Sequence, residues 1–179
     1  MSAVDASPAA ARTCAVRRAA ARDRPALERM LDRCTGQSRY RRFHGPVKVF
    51  PERYLTEALS GSPLHFALVA TVEGECAAGD RAQEDRAQEG AVIALASCRA
   101  VEEGVAELGI LVEDEWQQRG VGGYLLGELA AYAARTGLRA LRAQVLADQP
   151  WLVGLLRRYG TCKTAGADLA LHVTVTLPR

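Results

Sequence analysis

Apolar positions recur in two rhythms along this chain, and the switches between them mark out a succession of strands and helices. The runs HFALVATV (65–72), AVIALASCRAV (91–101), VAELGILVE (105–113), LRALRAQVL (138–146) and LALHVTVTL (169–177) are apolar, β-branched-rich or alternating, and of strand length. CAVRRA (14–19) reads as a shorter strand. Elsewhere apolar residues return at three- and four-residue intervals: Leu27, Met30 and Leu31 within 21–34, and Leu125, Leu126, Leu129, Tyr132 and Ala133 within 124–135. Shorter helical segments are expected in GQSRYRRFHG (36–45), with Ser38 as candidate cap, in PERYLTEALS (51–60), with Pro51 at the first helical position, and in PWLVGLLRRYG (150–160). Gly36 is expected to break the helix before it. This order predicts an α/β (α+β) fold with a mixed, largely antiparallel sheet flanked by helices.

The ends and one insertion do not fit these rhythms. Residues 1–12 are small and polar, as in a flexible arm, which leaves 13–179 as the domain. Within 73–90 the pentapeptide DRAQE occurs twice in succession, and a mobile hairpin loop without catalytic duty is expected over 74–90. At 179 residues and 49% hydrophobic, the chain has the size of one domain that buries roughly 70% of its unfolded surface. A net charge of +2 is too small for a nucleic-acid module. Five cysteines form no C-x-x-C pair, which points to free thiols in a reducing cytoplasm and to no bound metal. No signal-peptide core and no run of 18 apolar residues is present, so no membrane association is expected.

The segment DEWQQRGVGGYLL (114–126) carries the chemistry. Gly120, Gly122 and Gly123 leave backbone N–H groups unscreened between a strand and a helix. Unpaired first-turn N–H groups and the helix dipole together suit a phosphate. Spacing separates three phosphate loops. The dinucleotide fingerprint G-x-G-x-x-G fails at Leu125, and the nucleoside triphosphate loop fails at Glu128 and Leu129. The pattern [QR]-x-x-G-x-[GA] is met in full by Gln117-Gln118-Arg119-Gly120-Val121-Gly122.

That hexapeptide is similar to the pyrophosphate loop of the GNAT acetyltransferases. The surrounding AELGILVEDEWQQRGVGGYLLGELAAYAARTGLRALRAQVLADQPWLVGLLRRYG resembles the family in its strand, loop, helix, strand, helix order, and the resemblance extends over roughly 15–160. It implies that acetyl-CoA is the co-substrate and that an amine is the acceptor. Cofactor contacts are implied at Leu111 and Val112, at Gln117, Gln118, Arg119, Gly120, Val121, Gly122 and Gly123, and at Gln149, which stands near the family's asparagine. It also implies that backbone N–H groups near 110–112 polarise the thioester carbonyl. GQSRYRRFHG resembles the acceptor-side stretch of bacterial protein-lysine acetyltransferases, which assigns Arg39, Tyr40 and Arg42 to the acceptor. Arg39, Arg41 and Arg42 suit an acidic protein surface or a substrate carboxylate, or form a solvated basic helix face.

An alkylamine is mostly protonated at neutral pH, and only its free base can attack a thioester, so a proton acceptor is required. Glu107, five residues before Val112, resembles the glutamate in the strand motif of those lysine acetyltransferases. Two readings of it stand: general base, or a strand carboxylate paired with a nearby arginine. Glu102, Glu103, Glu113 and Glu115 read as solvated surface. Leu156 occupies the family's tyrosine position and Thr161 follows Gly160, so no dedicated tyrosine acid is expected, and Tyr124 and Tyr159 read as packing aromatics. Acetyl transfer to a protein lysine is the leading expectation. A small-molecule amine acceptor and a non-catalytic acyl-CoA sensor are the alternatives.

Overall fold

The computed structural model describes residues 14–72, 90–166 and 170–178. The arm expected over 1–12 and the loop expected over 74–90, Gly90 apart, lie outside the described residues. Seven strands, β1 (Cys14–Arg18), β2 (His65–Val72), β3 (Ala91–Glu102), β4 (Val105–Val112), β5 (Ala140–Leu146), β6 (Thr161–Ala165) and β7 (Ala170–Thr176), form one sheet in the order β1-β2-β3-β4-β5-β7-β6. All neighbours are antiparallel except β4 and β5, so the sheet is mixed and largely antiparallel, as its sequence pattern predicts. Helices α1 (Arg24–Arg33), α2 (Gly36–Phe43) and α3 (Glu52–Leu59) lie between β1 and β2 in the chain. Helix α4 (Val121–Arg135) connects β4 to the parallel β5, and α5 (Pro150–Leu156) follows β5. None of the described helices is long and apolar enough to cross a membrane.

The helices cover both faces of the sheet, which is why all eight residues of β2 are buried. On one face Leu27, Met30 and Leu31 of α1 and Leu55 of α3 pack with Val69, Leu95 and Leu111. On the other, Leu125, Leu126 and Leu129 of α4 pack with Leu68, Ile93, Leu108 and Val145. Adjacent residues such as Leu68 and Val69 enter opposite clusters, as the period of two requires. Each fully buried leucine contributes about 1.5–3 kcal/mol relative to exposure.

Local details depart from the sequence reading. Helix α1 ends at Arg33, and Gly36 opens α2 instead of breaking its predecessor. The cap of α2 is Thr35, whose side chain accepts from the Ser38 N–H at 3.2 Å, while the Ser38 hydroxyl is engaged elsewhere. Pro51 is the N-cap of α3, one position before the first turn. Strand β6 has no counterpart in the sequence pattern, because an edge strand with four of its five side chains exposed carries no alternating apolar signal. Gly160 has its own cause: a Cβ there would overlap the carbonyl oxygen of Thr176.

Candidate active site

Strand β4 leads into the glycine loop and diverges from β5. The two pair only over three residues, Val105 with Ala140, Ala106 with Leu141 and Glu107 with Arg142, although β4 continues to Val112 and β5 to Leu146. Beyond Glu107 the side of β4 that faces away from β3 is therefore open. At the far end of that opening the chain turns through a short helical segment (114–116) into α4. Gly120 caps α4 at φ 86°, a conformation that favours glycine, and Gln118 is also left-handed at φ 59°. The first backbone hydrogen bond of α4 runs from the Tyr124 N–H to the Gly120 carbonyl at 3.0 Å. The N–H groups of Val121, Gly122 and Gly123 precede it and have no hydrogen-bond partner among the described residues, at the positive end of the helix dipole. Val121 itself is fully buried and pins the turn to the core.

Gln117 and Asp114 fasten this loop to α2. The Gln117 amide donates to the Val112 carbonyl at 3.0 Å and to the Ser38 hydroxyl at 2.9 Å. Ser38 in turn donates to Asp114, which also accepts from the Thr35 N–H and hydroxyl, each at 2.8 Å. Gln117 thus spends its side chain on shaping the loop. Arg119 lies over the Trp116 ring at 5.2 Å and is exposed. Glu113, expected at the solvated surface, is 5% exposed and accepts from the Arg33 Nε and from its terminal nitrogen, both at 2.8 Å. Its partner lies 80 residues earlier in the chain, which hid the pairing from sequence reading. Gln149 is the N-cap of α5, and its N–H donates to the Leu146 carbonyl.

Glu107 stands at the other end of β4, about 17 Å from Val112 along the strand. Its side chain is 50% exposed and accepts from Arg99 on β3 at 2.9 Å. The same residues continue a row across the sheet, since His65 of β2 is in register with Arg99, and Arg99 with Glu107. Helix α3 and Arg42 of α2 close over this row, leaving an open cleft of about 310 Å³. Of the acceptor-side residues read from the sequence, Arg42 lines this cleft together with Glu107. Arg39 does not reach it; its guanidinium donates to the Cys34 and Asp32 carbonyls at the end of α1. Tyr40 is 48% exposed and lies outside the lining, and Arg41 pairs with Asp148 at 2.7 Å.

Sequence reading passed over two residues of this cleft. Gly109 interrupts the β4 apolar run, and a Cβ on it would overlap the Arg42 guanidinium; a glycine inside a strand is the available signal. His65 is 3% exposed, and neither ring nitrogen has a hydrogen-bond partner among the described residues. An apolar run that merely begins with histidine gives no hint of this. Burial pushes the His65 imidazole below its ordinary value, with Arg99 and Arg42 adding to the effect and Glu57 opposing it. The unfolded chain therefore takes up a proton near pH 6.5 that the folded chain refuses, so this contribution to stability is complete above about pH 6.5 and declines below it. Asp23 and Asp114 act lower: burial raises them, but hydrogen bonds from Arg17 and Ala20, and from Thr35 and Ser38, outweigh it and hold both below the usual carboxylate range. Their contribution is lost only as pH falls below about 4. Denaturant unfolding is expected to show lower stability at about pH 5.5 than at about pH 7.5, with His65→Gln removing most of that difference. A difference unchanged in the variant would assign the slope to another group.

Leu156 is 2% exposed within the core and offers no hydroxyl to the opening. Tyr159 donates its hydroxyl to the Gly123 carbonyl at 2.7 Å, tying the turn after α5 to the first turn of α4, and burial pushes its acidity down.

Residues 39–161 match the acetyltransferase (GNAT) family, and the chain belongs to that family of acetyl-CoA-dependent acetyltransferases. Solved structures share the fold. The GNAT domain of S. lividans PAT is 23% identical, with a TM-score of 0.69 over 90% of this chain and 89% of that one. A GCN5-related N-acetyltransferase from Kribbella flavida is 18% identical, with a TM-score of 0.68 over 94% and 99%. The yncA protein of Salmonella typhimurium, solved with its cofactor acetyl-CoA, is 17% identical, with a TM-score of 0.66 over 93% and 95%. No curated protein sequence matches the chain.

Proposed function

We propose that this protein transfers the acetyl group of acetyl-CoA directly to a primary amine, with a protein lysine as the preferred acceptor and the cytoplasm as its location. The observation that carries the reading is the opening beside β4, which has free N–H groups at one end and a half-exposed carboxylate, Glu107, at the other. Acetyl-CoA supplies the acetyl group as an activated thioester. The N–H groups of Val121, Gly122 and Gly123 suit its pyrophosphate, and the unpaired side of β4 over 108–112 suits its extended arm. Glu107 takes a proton from the acceptor ammonium, freeing the lone pair for attack. Backbone N–H groups near 110–112 stabilise negative charge as it develops on the carbonyl oxygen. With leucine at position 156, water supplies the proton for the departing thiolate.

Support for a lysine comes from the cleft, which is open to the surface beside the basic α2 and admits a long side chain projecting from a partner. Direct transfer is supported by the two buried cysteines among the described residues. Burial, followed by the nearby Asp114 and Glu113 carboxylates, pushes Cys34 up to about 12, and burial pushes Cys98 up to about 11, so neither supplies a thiolate nucleophile at neutral pH. Initial rates measured against both substrates test this. Intersecting double-reciprocal lines are expected for a ternary complex, and parallel lines would contradict direct attack.

A further inference from the structure

The acceptor cleft holds five charged side chains near neutral pH, and their pairing leaves one over. Arg53 pairs with Glu57 at 2.7 Å and Arg99 with Glu107 at 2.9 Å. Arg42 pairs with no carboxylate among the described residues, yet it is held in place. Its guanidinium lies 4.8 Å from the Phe43 ring centre and 4.9 Å from that of Tyr54, and it rests against the bare backbone of Gly109. An arginine seated on aromatic rings keeps its N–H fork available for a planar anion. A second observation points the same way: His65 lines this cleft with its side chain 4% exposed and neither ring nitrogen hydrogen-bonded among the described residues, Nδ1 lying 3.9 Å from the Glu57 carboxylate. The cleft thus offers a polar ligand both a cation with no carboxylate partner and an imidazole with no hydrogen bond among the described residues.

We propose that Arg42 receives a carboxylate carried by the acceptor, so that the cleft selects an amine with a carboxylate several bonds away, as in a lysine beside a glutamate or aspartate. This rests on the acetyltransferase reading and names its substrate class. Spacing along β4 sets the separation. Arg42 is seated over Gly109, two residues from Glu107 on the same face of the strand, a distance of roughly 7 Å. A lysine side chain with an acidic neighbour spans it.

The test uses the full chain, acetyl-CoA and two matched pairs of acceptors: a peptide with one lysine beside glutamate or beside glutamine, and 6-aminohexanoate or 6-aminohexanamide. The glutamate peptide is expected to exceed the glutamine peptide in kcat/KM by about 10-fold or more. Arg42→Gln should bring that ratio close to one. Gly109→Ala should do the same, because its methyl evicts the guanidinium without removing the charge. Acetyl-CoA affinity, measured by calorimetry, should hold in both variants. A preference confined to 6-aminohexanoate would place the carboxylate at the end of the acceptor itself and still support Arg42 as its partner. A ratio near one in the parent for both pairs, or a ratio that survives both variants, would overturn the inference alone. Acetyl-CoA binding without acetylation of any of the four acceptors would overturn the transferase reading, and this inference with it.

Discussion

Glu107→Gln is expected to lower acetyl transfer at neutral pH by about 10²–10⁴-fold while acetyl-CoA affinity is retained. Glutamine keeps the shape of the side chain and an oxygen that can accept from Arg99, so the local packing survives while the proton acceptor is lost. The pairing with Arg99 does not disqualify Glu107. Both side chains are about half exposed, and a pair of this kind contributes only ~0–1 kcal/mol, so it yields readily to an incoming ammonium. The loss should shrink as pH rises towards the alkylamine value near 10.4, where free amine forms unaided. Turnover unchanged at neutral pH would leave Glu107 with the ion pair as its only role.

Gly122→Val is expected to weaken acetyl-CoA binding by about 1–3 kcal/mol, or roughly 5- to 150-fold in Kd. The fold itself accepts a side chain here. A Cβ on Gly122 meets Ile110 at 3.6 Å and Val112 at 3.7 Å, both ordinary contacts, and the residue lies in the first turn of α4 without a left-handed φ. Gly122→Ala should therefore leave stability intact and serves as the control. The further methyls of valine crowd the gap between the loop and the end of β4, where the free N–H groups must meet an anion. Titration calorimetry on the parent and both variants reads the effect. Equal affinity for the parent and Gly122→Val would remove the glycine loop from the binding site.

What the sequence disclosed and what it concealed divide along the range of the interactions involved. Strand β2 and the register of α4 follow from local periodicity, because burying both faces of a strand or one face of a helix requires apolar residues at fixed intervals. The strand, glycine turn and helix order was legible for a similar reason, since glycines crowded between two periodic runs mark where the chain turns from β4 into α4. Partners distant in the chain leave no local trace. Nothing near Glu113 announces Arg33, and nothing near Ser38 announces Asp114 and Gln117. The motif read as acceptor-side suffered most. Arg39, Tyr40 and Arg42 fall in one short motif, but the helix turns only Arg42 into the cleft. His65 and Gly109 join Arg42 there through strand register, which a single sequence does not reveal.

The most direct measurement incubates the protein with acetyl-CoA and a lysine peptide, then quantifies the acetylated amine by mass spectrometry alongside the released CoA thiol. Enzyme-dependent acetylation of the ε-amine, with one thiol released for each amide formed, is the predicted result. Tight binding of acetyl-CoA with no acetylated product across peptides and small amines would contradict it and leave a non-catalytic acyl-CoA sensor in its place.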